Sequence, residues 1–167
     1  MSAASWTEIT ILSPQPDYSL HQLHNRYDKT NTLYSYQFES PKTLKMSFDD
    51  PAQIEELFTK LTAAFYRRVR TDDLIGPMYP EDDFEGAEER LRDFLIYRFG
   101  GSDRYIQERG HPRLRMRHAP FKIGVAERDR WLEMMSAAME ESEVPGEIAL
   151  ELKVFFDQVA EFMRNDE

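Results

Sequence analysis

Over the first fifty residues the apolar side chains come in short runs at every second position. Ile9 and Ile11, then Tyr34, Tyr36 and Phe38, then Leu44, Met46 and Phe48 alternate with polar neighbours, the period of a half-buried strand whose successive side chains point to opposite faces. Ser40-Pro41-Lys42 separates the last two runs and predicts a hairpin. Residues 13–30 carry no assignable pattern. At Asp50-Pro51 the period changes: an Asp N-cap, Pro at the first helical position and Gln53 three residues after the cap are a helix start signal. Ile54, Leu57, Phe58, Leu61 and Phe65 then recur at helical spacing. A second helix is expected from Asp82 or Asp83, with Phe84, Ala87, Leu91, Phe94 and Leu95 inward, stopped by Gly100-Gly101. Gly110, Pro112 and Pro120 limit residues 102–121 to short helices or loop. Two further helices are predicted, from about Val125 to Glu141 and from about Pro145 to Arg164, the latter with Ile148, Leu152, Phe155, Val159 and Phe162 inward. The chain thus divides into an extension over 1–50, partly β or irregular, and an all-α domain over 51–167. Strands with exposed edges seek partners, which makes a homodimer an expectation of the extension.

A chain of 167 residues, 41% hydrophobic, has room for one domain and an appendage. Its 31 acidic against 21 basic side chains give a formal charge of -10. That charge argues against a nonspecific nucleic-acid binder, which needs a net basic face. No window holds the roughly 18 consecutive apolar residues of a membrane helix, and Met1-Ser2-Ala3-Ala4 is not the basic region and apolar run of a secretion signal. No membrane association and a cytoplasmic location are the expectations. With no cysteine, disulfides, thiolate catalysis, iron–sulfur clusters and Cys-ligated zinc or haem are excluded, and any metal must take nitrogen or oxygen ligands. Residues 140–167 hold nine acids and two bases, the pattern of a solvated helix face. His21 and His24 have no third ligand at metal spacing, and Glu140 to Glu151 lacks the alternating oxygens and turn glycine of a calcium loop.

The densest chemistry lies in Gly110-His111-Pro112-Arg113-Leu114-Arg115-Met116-Arg117-His118-Ala119-Pro120-Phe121. Arg109, Arg113, Arg115 and Arg117 crowd into nine residues of an acidic protein, directly before a histidine among apolar neighbours. Residue by residue, His118 reads as a hydrogen-bonded core histidine and the arginines as a surface paired with Glu88 and Glu89 or as a local RNA patch. A haem explains them together, because its iron takes a neutral imidazole and its two propionates take cations at the pocket rim. Such a cofactor also needs apolar walls and hydrogen-bond donors aimed at a diatomic ligand. Tyr66, Tyr79 and Trp131 stand on or beside apolar helical faces, where each reads either as a core aromatic or as such a donor.

Phe65-Tyr66, then Met78-Tyr79-Pro80-Glu81-Asp82-Asp83, Gly86-Ala87-Glu88-Glu89-Arg90-Leu91, Gly100-Gly101, the run Arg109 to Phe121, and Glu127-Arg128-Asp129-Arg130-Trp131-Leu132 follow one another in an order that closely resembles the group II (O-type) truncated haemoglobins. The resemblance spans roughly residues 55–140, about half the chain. It implies a two-over-two helical globin sandwich around haem b. His118 matches the proximal iron ligand, bound through Nε2, and Arg117 and Arg90 match positions near the propionates. Tyr66, Tyr79 and Trp131 match a distal hydrogen-bonding cage, with Ala87 where many globins place a distal histidine. Leu91, Phe94, Leu95, Phe121 and Ile123 are implied to pack on the macrocycle or line the ligand route. Two features depart from the family pattern. Gln53-Ile54 lies inside a capped helical run where the family commonly has Gly-Gly, so a separate first short helix is expected to be missing, merged or replaced. The extension over 1–50 exceeds the usual globin length.

Donors fixed in a dry pocket stabilise negative charge on a bound ligand, so the resemblance implies binding of dioxygen, carbon monoxide or nitric oxide, with the Tyr/Tyr/Trp cage slowing escape. Tight retention suits oxygen and nitric oxide redox chemistry, such as nitric oxide dioxygenase or peroxidase-like turnover, better than bulk oxygen transport. The charge of -10 favours a basic reductase as partner. The alternative reading is a haem-based gas sensor or interaction protein that uses the extension as output or dimerisation surface. A helical interaction domain without cofactor is the third.

Overall fold

The computed structural model describes residues 51–167. The strand-like runs, the hairpin, the pair His21 and His24 and the capping residue Asp50 lie outside the described residues. The described part is helical and contains no strand. Helix α1 is Pro51–Val69, followed by a single 3₁₀ turn Gly76–Met78, then α2 Phe84–Arg98, α3 Arg104–Arg109, α4 Leu114–His118, α5 Val125–Glu141 and α6 Gly146–Met163. The sequence pattern did not separate out the 3₁₀ turn, whose N1 or N2 position is filled by proline. It does anticipate α5 and the stop at Gly100-Gly101, and residues 102–121, limited to short helices or loop, hold the two short helices α3 and α4.

All five residues of the stripe read in α1 are buried, together with Ala64, Tyr66 and Val69. Thr62 shares that face without penalty because its hydroxyl donates to the Phe58 carbonyl at 2.8 Å. The helix runs unbroken through Gln53-Ile54. In α6 the buried face differs from the expected one. Phe156, Ala160 and Met163 are buried beside Leu152 and Phe155, while Ile148, Val159 and Phe162 are only half-buried. The reason is that α6 serves two neighbours, α5 and α4, so its buried surface is wider than one heptad stripe.

Helix α1 packs on α2 and on α5, and α5 packs on α6. Two helix pairs are thereby laid one over the other, with α3 against α2 and α4 against α6. Aromatic rings lock the layers together. Phe58 of α1 stacks on Phe99 at 5.3 Å between centroids, and Phe99 meets Phe155 of α6 edge-on at 5.1 Å. A second bridge runs from Phe65 of α1 to Trp131 of α5 at 5.3 Å and on to Phe156 of α6 at 5.5 Å. Such pairs contribute about 0.5–1.5 kcal/mol each beyond the apolar area they bury.

Both long helices that must stop sharply do so with the same device. After α2 the Gly101 N–H reaches the Ile96 carbonyl at 2.8 Å and the Gly100 N–H the Tyr97 carbonyl at 3.3 Å, with Gly100 at φ 93°, a Schellman motif. A Cβ on Gly101 would stand 2.5 Å from Ile96 Cγ2 and 3.4 Å from Ile54 Cγ2, so the turn is pressed against α1. After α5 the Val144 N–H bonds to the Met139 carbonyl and the Glu143 N–H to that of Glu140, each at 3.1 Å, but the left-handed position is filled by Glu143 at φ 52°. Glu143 is exposed. Glu143→Gly is therefore expected to raise stability by about 1 kcal/mol, by removing the Cβ clash of a left-handed residue, read as a higher urea midpoint with unchanged slope.

One carboxylate buried inside this frame is paired with two partly exposed arginines. The Asp93 side chain, 0% exposed on α2, accepts from Arg104 Nη2 at 2.7 Å and Nε at 3.0 Å, and from Arg92 Nε at 3.0 Å. It fixes the first turn of α3 to α2. Burial pushes its carboxyl up, but hydrogen bonds from Arg104 and Arg92 prevail and hold it below the usual range. A depressed native value stabilises the fold above the unfolded carboxylate range of about 4 and is lost as pH falls through the native value. Asp93→Asn should accordingly destabilise by roughly 1–3 kcal/mol at neutral pH and flatten the acid limb of urea midpoint against pH.

Candidate functional site

Between the two layers lies a cavity of about 210 Å³, lined by residues of all six helices and of the loops between them. Each of the twelve residues singled out from the sequence, Tyr66, Tyr79, Ala87, Arg90, Leu91, Phe94, Leu95, Arg117, His118, Phe121, Ile123 and Trp131, is on its wall. The geometry that brings them together is built from short local devices.

His118 ends α4, and its Nδ1 lies 2.7 Å from the Leu114 carbonyl one turn earlier. A carbonyl only accepts, so Nδ1 carries the ring proton and Nε2 carries the lone pair. Burial lowers the imidazole's pKa, against the pull of the Leu114 bond, and the neighbouring Arg117 charge lowers it further. The ring is thus neutral at neutral pH, the form that ligates a metal. The chain around it is anchored to α6. Arg115 Nη1 donates to the Phe162 carbonyl at 2.5 Å. Asn165 donates through Nδ2 to the His118 carbonyl at 3.2 Å and accepts through Oδ1 from the Ile123 N–H at 3.0 Å.

The aromatic cluster is contiguous. Phe65 meets Tyr66 at 5.3 Å and Trp131 at 5.3 Å, and Tyr66 meets Tyr79 edge-on at 5.6 Å. Burial raises both phenol pKa values, so both hydroxyls remain protonated at neutral pH. Tyr79 is held from a distance by Asp72. One Asp72 oxygen accepts from the Leu74 and Ile75 N–H groups at 3.0 and 2.8 Å, and the other from Arg130 Nη1 of α5 at 2.7 Å. Burial works against the Asp72 charge, yet these bonds keep its carboxyl below the usual range. The turn that carries Tyr79 is thereby tied to the helix that carries Trp131.

Four arginines reach the cavity wall, Arg90, Arg109, Arg117 and Arg128. Arg90 Nη2 pairs with Asp83 Oδ2 at 2.7 Å. Arg117 donates to the Pro112 carbonyl at 2.8 Å and to that of Arg109 at 3.2 Å. Among the described residues, none of Arg109, Arg113, Arg115 and Arg117 forms an ion pair with Glu88 or Glu89. Arg109 is one of several wall residues that the sequence reading did not place there. Others are Tyr105, Met78, Leu114, Phe155, Phe156 and Met163. Arg109 and Tyr105, four apart on α3, carried a helical-spacing signal hidden by the breaks at Gly110 and Pro112. Asn165 follows the end of α6, and no local pattern marks a residue that acts across 47 positions of sequence.

Apolar walls, a neutral imidazole with a committed Nδ1, hydrogen-bond-donating aromatics and guanidinium groups form a donor set that fits a haem. Among the described residues no group of three or more His, Asp or Glu gathers as a purely protein-held metal would need. A tetrapyrrole supplies the remaining iron ligands itself. No helix of the described residues is long and apolar enough to cross a membrane.

Comparison with known proteins agrees with this geometry. A family model described as bacterial-like globin matches residues 52–165. The chain is similar to the group 2 truncated hemoglobin YjbI of Bacillus subtilis, 40% identical over 104 residues that make up 61% of this chain and 78% of that protein. Among solved structures it is similar to a thermostable hemoglobin from the actinobacterium Thermobifida fusca, with a TM-score of 0.65 and 48% identity over 66% of this chain and 90% of the other. It is also similar to the truncated oxygen-avid haemoglobin from Bacillus subtilis, with a TM-score of 0.65 and 36% identity over 70% and 100% of the two chains.

Proposed function

The chain belongs to the bacterial-like globin family, in its group II truncated branch, and is an oxygen-binding globin with haem b as cofactor; on that premise we propose that His118 is the axial iron ligand and that Tyr66, Tyr79 and Trp131 hold the diatomic ligand. The observation that carries this reading is the His118 imidazole, with Nδ1 at 2.7 Å from the Leu114 carbonyl, on the wall of a cavity that also gathers those three aromatic donors. The Leu114 bond fixes the tautomer and ring orientation and makes Nε2 more basic, as the outer partner of a metal-bound histidine does. Leu91, Phe94, Leu95, Phe121 and Ile123 supply apolar contact for the macrocycle and Ala87 leaves room on the ligand side. Arg90 and Arg117 stand near its carboxylates.

When bound, the haem supplies an iron with one position open to dioxygen, carbon monoxide or nitric oxide. The chain's own part is electrostatic. The Tyr66 and Tyr79 hydroxyls and the Trp131 indole N–H are donors prearranged toward negative charge developing on a ligand, in a pocket with apolar walls where such bonds act with little screening. Donors of this kind favour long retention, which supports oxygen and nitric oxide redox chemistry, with a reductase restoring the reduced state, over bulk oxygen transport.

Absorption spectra of the haem-supplemented full chain, ferric, dithionite-reduced and with carbon monoxide, test the ligand assignment. A strong Soret band that shifts with carbon monoxide and is lost or altered in His118→Ala is expected; an unaltered spectrum in that variant would remove His118 as the ligand. Trp131→Leu should speed oxygen dissociation roughly tenfold to a hundredfold, the worth of one hydrogen bond to a charged group, measured by stopped-flow displacement with carbon monoxide.

A further inference from the structure

Four large apolar side chains are exposed among the described residues, and two of them, Leu150 at 66% and Val154 at 50%, stand one turn apart on α6. Glu147, Glu151, Asp157, Gln158 and Glu161 recur with them at three- and four-residue steps and are all exposed, so these side chains share one outward face of the helix. The opposite side of α6 is taken by Leu152, Phe155 and Phe156, and neither Leu150 nor Val154 lines the cavity. Glu161 is paired with Arg128 and Arg164. Among the described residues, Glu147, Glu151 and Asp157 are in no ion pair. The one base of the helix, Lys153, lies about 100° round the axis from Val154. An apolar pair framed by unpaired carboxylates thus faces outward.

The complement of such a face is an apolar strip edged by bases. The run Lys42-Thr43-Leu44-Lys45-Met46-Ser47-Phe48 has that composition. Leu44, Met46 and Phe48 fall at every second position with Lys42 on the same parity, and no acid stands between Glu39 and Asp49. Its place in the chain also fits. Phe48 precedes the start of α1 at Pro51 by three residues, and the nine residues back to Lys42 reach about 30 Å when extended. Only two ring contacts separate α1 from the turn of α6 that carries Val154: Phe58 on Phe99 at 5.3 Å, and Phe99 on Phe155 at 5.1 Å. We propose that residues 42–48 dock along this outer face of α6, with Leu44, Met46 and Phe48 covering Leu150 and Val154, and the two lysines meeting Glu147, Glu151 and Asp157. Burial of apolar surface drives the contact, and the opposed charges fix where it forms. The end of the extension is then a strap on its own globin domain, in place of the dimerisation surface expected from its sequence.

Trypsin reads the contact directly, because it cuts after Lys42 and Lys45, and after Lys60 in the middle of α1 it cuts only once the helix has opened. Cleavage at the three sites is followed by mass spectrometry on the haem-supplemented full chain. The double substitution Leu150→Ser with Val154→Ser should speed cleavage after Lys42 and Lys45 roughly tenfold or more, since proteolysis follows the population of the undocked form. Cleavage after Lys60 should not change, because both substituted side chains are exposed. Glu147→Lys with Glu151→Lys should act in the same direction, by turning the attraction of the lysines into repulsion. Unchanged cleavage after Lys42 and Lys45 in both double variants would overturn the proposal. Equal acceleration after Lys60 would also overturn it, by tracing the effect to loss of the helical fold. So would protection that vanishes on dilution together with a dimer seen by analytical ultracentrifugation, which would make a second copy of the chain the occupant of this face.

Discussion

The need to enclose an apolar cavity between two pairs of helices governs the rest of this structure. Side chains that face an opening forgo the close contacts that stabilise an ordinary core, so cohesion has to come from elsewhere. It comes from the two aromatic bridges, Phe58–Phe99–Phe155 and Phe65–Trp131–Phe156, which cross from one layer to the other on either chain of contacts. Trp131 belongs both to a bridge and to the cavity wall. The framework and the site therefore share atoms, and a change at Trp131 acts on both.

Polar groups complete what the aromatics begin. Asp72 and Asn165 join segments distant in sequence and Asp93 joins two successive helices, and each is satisfied by more than one donor or acceptor. Their common effect is to hold short or irregular stretches, which could not keep a geometry alone, against long helices that can. The helix bearing His118 has five residues, far below the length at which an isolated helix persists in water. Its position is set by Asn165 and Arg115 through α6. The precision of a candidate metal ligand is thus a property of the chain's far end.

Charge shows the same division between local and global. The chain carries -10, yet residues 104–122 hold six basic side chains and one acidic one. Three of the guanidiniums belonging to this stretch or facing it converge on Tyr105. Net charge describes the field far from the molecule, where solvent screening leaves only the sum. At the cavity the nearest groups decide, and they are cationic.

The helices and most of their inward faces were determined by the sequence itself, because a 3.6-residue period and a stop signal such as Gly100-Gly101 are written in neighbouring residues. The candidate site residues were legible for a different reason. His118, Arg117, Tyr66, Tyr79 and Trp131 lie in runs long enough to resemble a known family, and the fold brought them to one cavity. What only the tertiary structure decided were the meetings of separate elements: the pairing of buried Asp93 with Arg104, the Asn165 clamp, the shift of the α6 face toward Phe156, and the orphaned Nε of Arg109. None of these follows from local spacing. Whether a polar atom finds a partner, and whether a helix has one neighbour or two, depends on which surfaces meet once the chain has closed on itself.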